Sequence, residues 1–213
     1  MSALDQIAHF QGRRDEVPNQ ELARRLADTR DTDGVREIAE NLWHRDRRVQ
    51  ADCIKVLYEV GYLAPELVAP YAGEFLKLLR SRNNRLVWGG MIALSTVAEL
   101  AADTLYPQRS EILKAMERGS VITVDGGVQA LAGLAATSPE RRRELLPALF
   151  EHLRTCRPKD VAQHSEKIAP AVDAEHADTF IQVLAARMED LSKAQVSRVN
   201  RVVRQVKERV GKG

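Results

Sequence analysis

The side chains most able to recognise something are gathered at two predicted helix starts. Arg45, Arg47 and Arg48 flank Asp46, and Arg80, Arg82 and Arg85 flank Asn84. Guanidinium groups bind phosphate or carboxylate oxygens in a planar fork, so such clusters suit an anionic partner. The plainer account is a solvated edge with scattered ion pairs. Just beyond Arg85 come Trp88, Gly89 and Gly90. Each glycine inside a helix costs about 1 kcal/mol relative to alanine, so this pair needs a reason. Close helix packing or a local kink is one reason. A hollow beside Trp88, holding a ligand or peptide, is the other; Trp and Arg are preferred anchors of binding surfaces.

Other chemistry is sparse. His152 and Cys156 are four residues apart and share a helix face, but spacing supplies no further ligand, so no metal is expected. Five histidines lie scattered without an HExxH pattern. There is no phosphate-binding glycine loop, no GxSxG and no recognisable acid–base pair of carboxylates. We therefore expect no catalytic residues and no cofactor. Solenoid enzymes can still assemble a site from residues distant in sequence.

These residues are positioned by a repeat. Asp46–Leu57 (DRRVQADCIKVL) returns as Asn84–Ser95 (NRLVWGGMIALS) and Asp125–Ala136 (DGGVQALAGLAA), at offsets of 38 and 41 residues. Each copy opens on Asp or Asn, places Val three residues on and continues as an apolar helix rich in small residues. The first stripe is Val49, Cys53, Val56/Leu57 and Val60, at helical spacing. A second motif, Pro-x3-Glu-x-Leu-Lys/Arg, starts at Pro70, Pro107 and Pro147, at offsets of 37 and 40. Two motifs sharing one period of roughly 40 residues mark a helical solenoid.

On these prolines, on Asp46, Asn84 and Asp125, and on the Val and small residues that follow, the chain resembles the HEAT-repeat family. The likeness covers about residues 35–210. Gln50, Trp88 and Gln129 stand where the family commonly has Arg, a departure from its Asp–Arg ladder. The resemblance implies an all-α superhelix, a HEAT-like solenoid of about five helix pairs plus N-terminal helices. It also implies that the second helix of each pair lines the concave face. The expected layout is one domain, 1–213. A helical cap spans 1–34, repeats span 35–191, and a basic capping helix spans 192–213.

Local signals fill in the rest. Residues 2–10 predict a short amphipathic helix, Asn19 caps the next, and residues 31–34 (DTDG) form a turn. Gly61 reads as a helix C′ residue and Pro65 as a helix start. Residues 119–127 (GSVITVDGG) predict the longest non-helical connector, with Asp125 capping the helix after it. Ser192 caps the last helix, where Arg198, Arg201 and Arg204 stand opposite a valine stripe.

The whole chain of 213 residues has a net charge of +2. Residues 192–213 alone hold seven Lys/Arg against Glu208, so the basic character is terminal. Aromatics at 5% are few for a reader of stacked bases. Cys53 and Cys156 both fall on predicted helix faces, where free Cys acts as a small hydrophobe, so no disulfide is expected; no segment has signal-peptide or membrane-spanning character, so the expected setting is cytoplasmic.

The leading expectation is a non-enzymatic scaffold binding a protein or peptide. Its site would draw on Arg47, Arg48, Arg85, Trp88, Gly89 and Gly90, with Arg198, Arg201 and Arg204 as a second basic surface. The alternative is a nucleic-acid-binding protein similar to the HEAT-like alkylpurine DNA glycosylases, with Asp52 as the nearby acid. A HEAT-like cofactor lyase is a third possibility that no residue specifies. No membrane partner is expected, and the sequence does not give the oligomeric state.

Overall fold

Heptad-like stripes of Val, Leu and Ala fold the chain into helices throughout the computed structural model, which describes residues 2–211. Two compact units result, Met1–Ala130 and Leu131–Gly213.

In the first unit, α1 (Val17–Thr29), α3 (Arg47–Leu63) and α6 (Asn84–Val97) lie side by side, with α3 in the middle. Outside them run α2 (Thr32–Glu40), then α4 (Pro65–Val68) and α5 (Ala72–Leu78), then α7 (Ala102–Leu105) and α8 (Arg109–Arg118). α9 (Val121–Ala136) carries the third copy of the repeat and contains the division between the units. The stripe expected on α3 is the core: Val49, Cys53, Val56, Leu57 and Val60 are all fully buried. Asp46 caps α3 by accepting from the Arg48 amide at 2.8 Å. Asn83, one residue before the expected Asn84, does the same for α6.

In the second unit, α11 (Pro158–Ile168) packs on α13 (Lys193–Arg209), and α10 (Pro139–Thr155) packs on α12 (Ala177–Arg187). Leu145, Leu146, Leu149, Phe150 and Leu153 of α10 are buried, as the periodicity requires. Ser192 caps α13 within a reciprocal capping box closed by Gln195.

The proline motif has a physical content. Its Glu and Lys/Arg form an i,i+3 ion pair in all three copies: Glu74–Lys77, Glu111–Lys114 and Glu151–Arg154 at 2.6, 3.3 and 3.1 Å. Pro70 and Pro107 each sit in a 3-10 turn, Ala69–Tyr71 and Tyr106–Gln108, that splits the outer helix in two. Their missing N–H falls where the α-helical ladder is already interrupted. Pro147 instead lies inside an unbroken α10.

Six local expectations need correction. Residues 2–10 form only a 3-10 turn, Leu4–Gln6, pinned at its start by the Ala3 amide donating to Glu37. Asn19 is not a cap: Glu16 holds that position, and Asn19 is buried within the first turns of α1. The Asp31–Gly34 turn opens α2 directly, because Asp31 accepts from the Gly34 amide at 2.8 Å. Gly61 does not end α3. It lies inside the helix, where the missing Cβ leaves room for Thr96 of α6. The connector at 119–127 is mostly helix, for α9 begins at Val121. Ser120 performs the cap expected of Asp125, taking the Thr123 amide on its hydroxyl and the Val124 amide on its carbonyl. Tight packing outweighs the β-branched run, since Thr123 is buried and Gly126 meets Met91.

Candidate functional site

The solvent-facing side of α3 is set by helical geometry. Opposite its buried stripe come Arg48, Asp52, Lys55, Glu59 and Tyr62, spaced four, three, four and three residues apart. The neighbouring face of α6 adds Arg85 and Trp88. Between them reaches Glu16, which precedes α1.

Charges on this face are paired. Lys55 Nζ lies 2.8 Å from Glu16 and 2.7 Å from Glu59, and 4.9 Å from the centre of the Tyr58 ring. Burial works to lower the Lys55 pKa, but the bonds to Glu16, Glu59 and Tyr58 prevail and raise it, so the ammonium stays charged. Arg85 reaches Glu16 at 3.5 Å, and Arg48 holds Asp46 at 3.0 Å. Aromatic rings continue the face: Tyr58 stands 6.2 Å from both Tyr62 and Trp88, and Tyr62 is 61% exposed. Burial raises the Tyr58 and Tyr62 pKa values, so both phenols stay protonated near neutrality.

At the N-terminal end of α3 this face opens into a cleft of 590 Å³. Its walls include Arg13, Arg14, Arg48 and Arg85, set against Asp15, Glu16 and Asp52. The cleft is therefore mixed in sign. Asp52 is committed to structure: it accepts from the His9 amide at 2.8 Å and from the Asn19 side chain at 2.9 Å.

The structure thus brings Arg48 and Arg85 together on the cleft walls, while Trp88 stands outside that lining, beside Tyr58. Arg47 is exposed beside them and does not line the cleft. The hollow that Gly89 and Gly90 could leave beside Trp88 is not there. Gly89 is buried against Ile54 of α3, and Gly90 against Leu78 and the Phe75 carbonyl of α5. They let α6 approach both neighbours, which fixes where Trp88 stands. In the second unit Arg198 is held by Glu166 at 2.6 Å. Arg201 and Arg204 line an open groove of 540 Å³ with Lys193 and Asn200.

Sequence reasoning missed Lys55, Tyr58 and Tyr62. The signal was present in Lys55, a lone charge inside the apolar run from Cys53 to Leu57. Among the described residues, no helix is long and apolar enough to cross a membrane. Both cysteines are free thiols.

The architecture is that of a helical-repeat solenoid of the armadillo and HEAT kind. Three solved structures place it there. An engineered protein matches over 98% of both chains at 16% identity, with a TM-score of 0.68. A designed armadillo repeat protein in complex with the peptide (KR)4 matches over 89% of this chain and 85% of its own, at 15% identity and TM-score 0.68. Kap121p matches over 98% of this chain and 23% of its own, at 16% identity and TM-score 0.65. At these identities the likeness establishes the fold. No protein-family model matches the sequence, and no curated protein matches it.

Proposed function

We propose that this protein is a non-enzymatic interaction module that binds an extended peptide segment along the α3/α6 face. The observation that carries this reading is the pairing of charge around an aromatic row. Tyr62 is exposed and Trp88 half-buried, with the buried Tyr58 ring backing both, while Glu16, Glu59, Arg48 and Arg85 offer both signs of charge beside them. A peptide presents apolar side chains, charges and main-chain amides in one strand and suits such a surface. The designed relative that holds a (KR)4 peptide supports the choice by its fold alone.

A polyanion suits the face less well. Affinity for nucleic acid comes mainly from cations freed to neutralise phosphates. Here Lys55, Arg48 and Arg85 each carry an acidic partner already. Asp52, the acid a glycosylase reading would use, is occupied by His9 and Asn19.

The test is selection from a random-peptide display library on the intact protein, followed by calorimetry. Trp43→Phe leaves Trp88 as the sole tryptophan and reports binding by fluorescence. Trp88→Ala should weaken selected peptides by roughly tenfold or more, the scale of an aromatic anchor. Selected peptides that bind Trp88→Ala equally well, or a salt-sensitive gel shift with DNA in place of peptide binding, would overturn the reading.

A further inference from the structure

The last turn of α10 and the middle of α11 bring together three side chains that ligate metals. His152 Nε2 lies 2.9 Å from His164 Nδ1. One ring nitrogen of each histidine and the Cys156 Sγ all fall within 4.8 Å of one another. The spacing is His-x3-Cys-x7-His. Two imidazoles and one thiolate form a borderline-soft donor set of the kind zinc prefers. With metal–nitrogen bonds of about 2.0 Å and metal–sulfur bonds of about 2.3 Å, an ion between the three needs only small ring movements.

We propose that His152, Cys156 and His164 form a zinc-class metal site with three protein ligands and a fourth position open to solvent. It is independent of the peptide face on α3 and α6.

The supporting frame is already built. Arg187 of α12 donates to the carbonyls of Leu153, Arg154 and Cys156 at 2.5, 2.9 and 2.9 Å. It thereby fixes the turn that bears two of the ligands. His164 is 3% exposed on a helix packed against α13, so its ring has little freedom. His152 and Cys156 are only half-buried, which leaves a route for the ion. Zinc takes its cysteine ligand as the thiolate, so metal uptake releases the Cys156 proton. The negative charge of Asp160 acts on both His152 and Cys156 and offsets the positive charge of Arg187.

A hydrogen-bonded histidine pair would also explain the 2.9 Å contact, and metal titration separates the two accounts. Metal-stripped full-length protein is titrated with Zn²⁺ by calorimetry in two buffers of different ionisation enthalpy, and with Co²⁺ by absorption. The expected result is one ion per chain, release of a proton, and a cobalt spectrum with a thiolate charge-transfer band and tetrahedral ligand-field bands. Cys156→Ser removes the charge-transfer band. Cys156→Ser and His152→Gln each weaken Zn²⁺ by at least about tenfold, since outer-shell partners alone cost that much. His176→Gln, in the separate grouping of Asp173, Glu175 and His176, leaves binding unchanged. The absence of one-to-one binding, a cobalt spectrum without the thiolate band, or binding unaltered in both ligand variants would overturn the proposal. The spectrum of the unmodified protein decides the matter even if a variant fails to fold.

Discussion

The side-chain amide of Asn19 donates to the Asp52 carboxylate at 2.9 Å, tying the buried Asn19 of α1 to the half-buried Asp52 of α3 at the wall of the cleft. The same Asn19 accepts from the Ala8 amide at 2.9 Å, and the second Asp52 oxygen takes the His9 amide. One polar pair thus anchors the N-terminal segment to the first repeat. Removing Asn19 leaves the buried Ala8 amide without its partner, at a cost of about 1–3 kcal/mol, while the Asp52 oxygen faces the cleft and loses less. Asn19→Ala should lower unfolding free energy by about 2–3 kcal/mol on that scale. Urea denaturation measures it, and a midpoint indistinguishable from the parent would refute the role.

Gly61 makes a sharper claim about packing. A methyl group there would run into the Thr96 hydroxyl, and the Thr96 Cβ would lie 2.9 Å away. Alanine gains about 1 kcal/mol of helix propensity, but overpacking costs about 1–3 kcal/mol, so strain should win. Gly61→Ala is expected to destabilise, and Thr96→Ala in the same chain to restore part of the loss. A double-mutant cycle reads the coupling between the two sites. Strict additivity would show that α3 and α6 do not meet as described.

Asp46 links stability to acid. Its side-chain bond from Arg48, then the Arg48 backbone amide, lowers its pKa from 3.8 to about 2. A carboxylate with a depressed folded-state pKa contributes stability above its unfolded value and loses it as pH falls through the folded one. The contribution is therefore complete above pH 3.8 and disappears by about pH 2. Asp46→Asn keeps an oxygen for the cap and removes the titration. Its melting temperature should fall less steeply than the parent's between those two pH values, and identical slopes would contradict the assignment.

Much of this was written in side-chain period. The stripes of α3, α10 and α13 needed only the alternation of Val, Leu and Ala with polar residues. The two repeated motifs supplied the architecture. What escaped was decided by contacts between distant segments. Asn19 looks like a cap because Asn prefers that position, yet burial against Ala8 and Asp52 claimed it. Residues 121–124 look extended because they are β-branched, yet Thr123 and Gly126 are held in a helix by packing. Of the proposed face, Arg48, Arg85 and Trp88 follow from the repeat register. The aromatic row on α3 appeared only when Tyr58 and Tyr62 were placed beside Trp88. His164 joins His152 and Cys156 from another helix, at a spacing no local rule singles out.

The Arg187 fork finishes α10 from 31 to 34 residues further along the chain. Most helices close their C-terminal carbonyls with a nearby glycine or with water. Local donors already cover part of this end, the Cys156 amide on the His152 carbonyl and the Thr155 hydroxyl on that of Glu151, so Arg187 adds a tie that forms only once α12 has docked. A nascent chain halted before Arg187 would carry α10 without that tie. Synthesis past that residue would supply it, at the turn that carries His152 and Cys156.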